Sequence, residues 1–259
     1  MLHDKTVGVV IPARNEARAI RSVVEAIPPW VDHIIVADNG STDRTAEIAR
    51  SAGATVIHEP RAGYGSACLA GLAELAARGP VDIIVFLDGD NSDHPEDMAD
   101  ILAPILAEAA DLVIGSRTLG AVEAGALTIP QRLGNWLATR LIALRFGVRF
   151  TDLGPFRAIT REALAALAMS DRDYGWTVEM QVKAARLGLV CREVPVRYRR
   201  RIGTSKISGT LRGTVLAGSK ILLVIARHGL AGPLPPAAAA RRRQQAAGTE
   251  PTQRAEATD

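Results

Sequence analysis

The sequence predicts an α/β fold with a mostly parallel central sheet flanked by helices. Short apolar runs rich in β-branched residues recur at Thr6 to Ile11, Ile34 to Ala37 and Val81 to Leu87. Each is followed by a turn containing Pro, Gly, Asp or Asn, and then by apolar residues at helical spacing. Runs that are apolar throughout read as strands buried on both faces, and strands alternating with helices imply right-handed βαβ units. At 259 residues and 47% hydrophobic content, the chain can bury one sizeable core.

Thr6 to Ile11 is the first expected strand, broken by Pro12, and Glu16 to Ile27 is the first helix, ended by Pro28-Pro29. Ile34 to Ala37 is the second strand, Asp38 to Ser41 a turn and Thr42 to Ser51 a helix. Thr55 to His58 makes a short third strand, and Gly63-Tyr64-Gly65 is a loop leading into an alanine-rich helix that ends near Gly79. Val81 to Leu87 is the fourth strand, Glu96 to Ala109 its helix, with Pro95 near the start, and Leu112 to Gly115 the fifth strand. Beyond Arg117 the rhythm changes. Ala121 to Ile129 reads as a mobile loop, Gln131 to Phe146 and Trp176 to Leu187 as helices, and Arg149 to Leu153 and Leu189 to Tyr198 as strands. Ser208 to Arg227 reads as an amphipathic or apolar helix. Prolines, alanines and Arg241-Arg242-Arg243 mark 233–259 as a disordered tail.

The net charge is only +3, yet Arg192, Arg197, Arg199, Arg200, Arg201, Lys206 and Arg212 stand close together with Glu193 as the only acid among them. Such a cluster suits a polyanion, either a diphosphate or a membrane surface; without aromatic interleaving or a nucleic-acid motif, nucleic acid is not an expected partner. Cys68 and Cys191 are isolated thiols without metal-ligand spacing, and no secretory signal is evident, so a reducing cytoplasm is expected. No apolar run reaches the roughly 18 residues needed to span a bilayer. The chain is therefore expected to be soluble or to lie on a membrane face.

The chemistry gathers where strands end. Asp88-Gly89-Asp90 closes an interior strand, and in open α/β sheets that carboxyl edge is where ligands bind. Two carboxylates one residue apart can share a hard divalent cation with phosphate oxygens. Asp88, Asp90, Asp93, Glu96 and Asp97 fall within ten positions and would repel one another without a compensating cation or solvent. Glu96 and Asp97 read more simply as first-turn residues of the following helix. Asp38 reads either as an acceptor for a nucleobase N–H or ribose hydroxyl, or as an Asx turn or helix N-cap. Gly63-x-Gly65 is either an anion-receiving turn or merely a tight one. His58 and His94 have no partner at metal-ligand spacing and read as surface residues.

These residues carry a resemblance. Val9-Val10-Ile11-Pro12-Ala13-Arg14-Asn15-Glu16, Val36-Ala37-Asp38-Asn39-Gly40-Ser41-Thr42-Asp43, Leu87-Asp88-Gly89-Asp90, Ile114-Gly115-Ser116-Arg117 and Arg201-Ile202-Gly203-Thr204-Ser205-Lys206 together resemble the family 2 glycosyltransferases. Within that family the chain looks most like the polyprenyl-phosphate (dolichyl-phosphate) mannosyl and glucosyl transferases. The resemblance implies a GT-A fold with a Rossmann-like central sheet and a C-terminal acceptor-side segment. It implies one domain over 1–232, with a nucleotide-sugar-binding half at about 5–117 and an acceptor-side half at 118–232.

Position by position, the resemblance implies that Pro12, Arg14, Glu16 and Asp38 hold the nucleoside. Asp88 and Asp90 would carry Mg²⁺ or Mn²⁺ on the donor diphosphate, and Arg201, Ser205 and Lys206 would close over the phosphates. Arg117, Arg132 and Asn135 fall where an acceptor phosphate binds. Three departures stand out: Arg14 in place of a common tyrosine, Ser92 in place of a glutamine, and Asp152-Leu153-Gly154-Pro155-Phe156-Arg157 in place of D-x-x-S-G-F-R. The implied reaction is inverting transfer of a hexosyl unit from a nucleoside diphosphate sugar to a polyprenyl phosphate, with a soluble hydroxyl acceptor as the alternative. An anionic phosphate needs no strong base, whereas a hydroxyl needs one, for which Asp152 or Glu179 are candidates, each otherwise a carboxylate paired to one of the arginines. Asp90, Arg201 and Asp152 are the expected catalytic residues. A sugar nucleotidyltransferase or a noncatalytic nucleotide-sugar-binding protein are the rival classes. The segment Gly203 to Ser208 is expected to act as a lid. The helix Ser208 to Arg227, with only basic charges, is expected either to pack as a core helix or to lie on an anionic bilayer.

Overall fold

The computed structural model describes residues 2, 4–203 and 211–230. Among these, the strands are β1 (Val7–Ala13), β2 (His33–Asp38), β3 (Thr55–His58), β4 (Ile83–Phe86), β5 (Leu112–Ser116), β6 (Arg157–Thr160) and β7 (Cys191–Pro195). They form one sheet in the order β3-β2-β1-β4-β6-β5-β7. Every pairing is parallel except those of β6, which runs antiparallel to both β4 and β5. The helices are α1 (Ile20–Glu25), α2 (Thr45–Ser51), α3 (Tyr64–Ala77), α4 (Met98–Leu106), α5 (Ile129–Phe146), α6 (Arg161–Leu167), α7 (Trp176–Leu187) and α8 (Leu211–Leu230).

Side-chain alternation along the strands sorts the apolar residues into two cores, one on each face of the sheet. Val7, Val9, Ile11, Ile83, Val85 and Leu87 pack with α1 and α4 on one face. Val10, Ile84 and Phe86 pack with residues of α3, α5, α7 and α8 on the other. There the Phe86 and Trp176 rings meet edge to face, with centroids 5.8 Å apart.

Most expected elements are present, and β3 and α7 have the expected bounds. Pro12 does not break the first strand: it pairs with Ala37 of β2 beyond the last residue pairing with β4, Val10. The first helix is shorter than expected, because Asn15 adopts a left-handed φ of 54° and a turn precedes Ile20. Arg149 to Leu153 is not a strand. Its amides are held by side chains instead: Thr151 and Asp152 donate to Glu193, and Leu153 to Asn135. The unexpected strand is β6, a short run that begins with an arginine. The expected loop Ala121 to Ile129 is partly fixed, since Tyr198 and Glu123 bond across it. Residues 208–210, expected to start the last helix, and 233–259, expected to be a disordered tail, lie outside the described residues.

Candidate active site

β1, β2, β3, β4, β5 and β7 all end at one edge of the sheet, and the antiparallel β6 begins there. Asp88 and Asp90 follow β4 at this edge, and the left-handed Asn91, φ 65°, turns the chain back across them. The Tyr64 hydroxyl donates to Asp88 Oδ1 at 3.0 Å, and the Asp88 amide donates to Asp93 Oδ2 at 3.2 Å. Asp90 is buried; Arg201 Nη1 lies 2.9 Å from its Oδ2, and its Oδ1 accepts from the Ser92 amide and hydroxyl. Burial, reinforced by the Asp90 charge, pushes Asp88 up to about 6. Burial and the charges of Asp88 and Asp90 push Asp93 well above the usual carboxylate range, and its Oδ1 is buried without a hydrogen-bond partner. Asp93 is thus a third carboxylate of the cluster. It was visible in the sequence only as one acid in a run.

The basic segment after β7 lies along this acidic loop. Val196 and Tyr198 turn inward, and the alternate arginines face the acids. Arg197 pairs with Asp97, Arg199 donates to Asn91 Oδ1 at 2.6 Å, and Arg201 pairs with Asp90. Backbone bonds from Arg199 to Ser92 and from Ile202 to Asp90 fasten the two segments together. Asp97 therefore serves Arg197 and does not cap α4 through its side chain. Much of the positive cluster compensates the acidic run internally. Ser205 and Lys206 lie outside the described residues.

On the donor side, Asp38 ends β2, two strands from β4 and so roughly 10 Å across the edge at ordinary strand spacing. Its Oδ2 lies 3.2 Å from Nδ1 of the exposed His58, while its buried Oδ1 has no hydrogen-bond partner. Neither an Asx turn nor an N-cap accounts for that oxygen, since α2 is capped at Arg44. Pro12 is half-buried, Arg14 is exposed, and the Glu16 amide donates to Thr45 Oγ1 at 2.8 Å. His94 is not a surface residue, with 18% of its side chain exposed. The glycine turn is tight because another segment crosses it: a Cβ on Gly63 would lie 2.1 Å from the Arg172 carbonyl, and one on Gly65 equally close to that of Asp171. The Ser66 amide already donates to the Arg172 carbonyl.

The acceptor side differs most from expectation. Arg117 grips Asp152 in two bonds, Nε to Oδ2 and Nη2 to Oδ1, both 2.7 Å, and its guanidinium stacks 5.1 Å from the Tyr198 ring centroid. Asp152 is 1% exposed and both its oxygens are engaged by Arg117, so in this structure it is a pairing carboxylate. Asn135 joins α5 to the loop at 151–153 through both ends of its amide: Nδ2 donates to the Thr151 carbonyl at 3.0 Å and Oδ1 accepts from the Leu153 amide at 2.8 Å. Arg132 is exposed on α5. Glu179 lies in α7, where Ser170, Asp171 and Lys183 bind its carboxylate. Burial would raise it, but these donors outweigh burial and hold it below its ordinary range. Arg157, to which the sequence assigned no role, is fully buried beneath the edge and donates to the carbonyls of Leu153, Gly154 and Thr177.

Among the described residues no three or more His, Cys, Asp or Glu side chains converge as a self-sufficient metal site. The donor set at Asp88 and Asp90 is instead an incomplete shell of hard oxygens. It suits Mg²⁺ or Mn²⁺ completed by diphosphate and water, and the unpartnered Asp93 Oδ1 adds a further acceptor beside it.

A mostly parallel sheet with a strand-end acid on one strand and an Asp-x-Asp pair two strands away is the arrangement expected of a GT-A glycosyltransferase. The chain belongs to glycosyl transferase family 2, whose model matches residues 8–167. It is 39% identical over 214 residues to an uncharacterised glycosyltransferase of Mycobacterium tuberculosis, covering 82% of this chain and 94% of the relative. A dolichyl-phosphate hexose transferase of Haloferax volcanii is 33% identical, with 82% and 91% covered. An undecaprenyl-phosphate mannosyltransferase of Micrococcus luteus is 29% identical, with 86% and 93% covered. A solved structure of glucosyl-3-phosphoglycerate synthase from Mycobacterium tuberculosis, in complex with Mn²⁺, UDP-glucose and phosphoglyceric acid, is 27% identical with a TM-score of 0.68, covering 87% of this chain and 80% of that one. No helix among the described residues is long and apolar enough to cross a membrane.

Proposed function

We propose that the protein is a metal-dependent inverting glycosyltransferase that moves a hexosyl unit from a nucleoside diphosphate sugar to a lipid-linked phosphate at the cytoplasmic membrane face. The observation that carries this reading is the Asp88/Asp90 pair at the end of β4, aligned on one edge with the unpartnered Asp38 Oδ1. Asp38 accepts from the nucleoside, and Pro12, Arg14 and Glu16 line the same strand end. Asp88 and Asp90 would hold Mg²⁺ or Mn²⁺, which neutralises charge on the leaving diphosphate. Arg201 stands beside the pair as a fixed cation on that diphosphate, and Tyr64 keeps the Asp88 carboxylate oriented.

The acceptor side supports a nucleophile that arrives already anionic. Asp152 and Glu179 are both held by other donors, which favours a phosphate monoester, a nucleophile that needs no base. Relatives named for undecaprenyl-phosphate and dolichyl-phosphate transfer support the same class of acceptor. The neighbour solved with phosphoglyceric acid favours a second reading, a small soluble acceptor.

Incubation with labelled nucleoside diphosphate sugars, with Mn²⁺, Mg²⁺ or a chelator, tests both. A metal-dependent product that partitions into organic solvent with undecaprenyl phosphate is expected. Transfer only to water-soluble acceptors would establish the second reading, and transfer that survives chelation would remove the metal. A donor at a hundred times its Kd should also stabilise the protein by about 2.7 kcal/mol, which a melting screen would detect.

A further inference from the structure

α5 is apolar on two opposite faces and buries only one. Ala138 and Ile142 enter the core. At 100° per residue, Ile129, Leu133, Trp136, Leu137 and Leu144 occupy an arc of about 100° on the other side. That arc is uncovered: Ile129 is 82% exposed, Leu133 61% and Leu144 86%, with Trp136 and Leu137 exposed as well. Arg140 falls in the middle of the arc, its guanidinium 5.8 Å from the Trp136 ring centroid, and the exposed Arg132 flanks it. Neither α5 nor the adjoining α8 contains an acidic residue, and α8 exposes Leu222 and Leu223. A continuous apolar face of this kind marks an interaction surface.

We propose that this arc of α5 seats the protein on an anionic bilayer, with the apolar side chains entering the headgroup boundary and Arg132 and Arg140 meeting lipid phosphates. The inference rests on the lipid-linked acceptor reading and names the surface that reading requires. Charge decides the occupant. A second copy docked on the same face would set these cations against their own equivalents with no acid to answer them, whereas anionic lipid answers them directly. Position agrees. Asn135, one turn beyond Arg132, bonds the 151–153 loop whose Asp152 pairs with Arg117, so the first turns of α5 stand at the rim of the acceptor side. A helix lying in the interface would bring that rim to the lipid surface. α8 takes a supporting part: Val224 and Ile225 are buried, and Lys220 is paired to Asp171 at 3.0 Å and so is not a lipid-facing cation.

The test is sedimentation of the full-length protein with phosphatidylglycerol-containing vesicles and with phosphatidylcholine vesicles, in the absence of donor, metal and acceptor. Binding to the anionic vesicles should weaken as salt rises. It should fall about tenfold or more in the doubly substituted Leu133→Glu, Leu144→Glu protein, because both residues leave the apolar surface. A matching melting temperature would show that this variant is folded, and its transfer to a short, water-soluble prenyl phosphate should match the wild type. Equal binding to neutral vesicles, unchanged binding by the variant, or failure to sediment at low salt would overturn the proposal. So would a dimer that the variant dissolves without any vesicle binding. Because vesicle binding is read without substrate, it can stand while the transferase reading fails, or fail while that reading stands.

Discussion

Asp38 and Asp88 each hold a carboxylate in an environment that does not fully compensate it, and each makes a distinct prediction. Asp38→Ala removes an acceptor whose Oδ1 has no partner and whose Oδ2 meets only an exposed histidine. The apo protein should lose less than about 1 kcal/mol, since the single partner of this buried carboxylate is an exposed histidine and such pairs contribute little. Donor affinity should fall by about tenfold to a hundredfold, the worth of a hydrogen bond to a charged group. Calorimetric titration with the donor would read the loss, and unchanged affinity would remove Asp38 from the site. Asp88→Asn or Asp90→Asn should cut metal-dependent turnover by roughly a hundredfold or more while the protein still folds. Asp88→Asn should not lower the apo melting temperature, because it relieves repulsion by Asp90. Wild-type turnover by either variant would end the metal assignment. Asp38, Asp88 and Asp90 were legible because a strand end fixes their position whatever the rest of the chain does. Asp152, Asn135 and Glu179 were not, because their roles depend on partners met only in the fold: Arg117, the 151–153 loop, and the Ser170, Asp171 and Lys183 donors. Spacing does not say which carboxylate finds a guanidinium first.

At the scale of elements, the start of α3 shows why small residues stand there. The backbone at Asp171 and Arg172 crosses the helix end so closely that only Gly63 and Gly65 leave room, and Tyr64 between them reaches Asp88. Gly65→Ala should cost roughly 3 kcal/mol by overpacking. Chemical denaturation measures that loss, and a loss below 1 kcal/mol would refute the close approach. The Asp171 segment of this contact is itself anchored by α7. Glu179 gathers the amides of Ser170 and Asp171 and the Lys183 ammonium, which hold it below the ordinary value of 4.5. A depressed acid contributes stability that is complete above its unfolded value and is lost as pH falls through the folded one. The melting temperature of the wild type should therefore fall more steeply below pH 4.5 than that of Glu179→Gln. Parallel slopes would show that this carboxylate is not the acid-sensitive group. The long β-branched runs announced their strands because continuous burial leaves a continuous apolar signature. The segment Arg149 to Leu153 gave a false signal, since buried Phe150 and Leu153 look strand-like while side chains satisfy the neighbouring backbone. Four residues opening on Arg157 gave too little signal to reveal β6.

For the molecule as a whole, the common carboxyl edge was legible because alternating strands and helices leave little choice of topology. The interleaving of the two halves was not. β6 comes from the half of the sequence expected to form the acceptor side, yet it lies between β4 and β5, so β4 pairs with β1 on one flank and with residues 157–160 on the other. Arg197, Arg199 and Arg201 add a second tie by lying along the acidic loop after β4. A fragment ending at Arg117 should therefore fail to give a soluble monomer, because it exposes the fully buried Ile83–Phe86 edge as a template for aggregation. Soluble expression of that fragment with a cooperative melt would contradict this. The placement of β6 also sets a timetable. A chain leaving the ribosome amino end first, at about 5–20 residues per second, carries an unmatched β4 for several seconds before Arg157 emerges. During that interval the strand that leads to Asp88 and Asp90 has one bare flank, open to pairing with other chains until β6 arrives and joins β4 to β5.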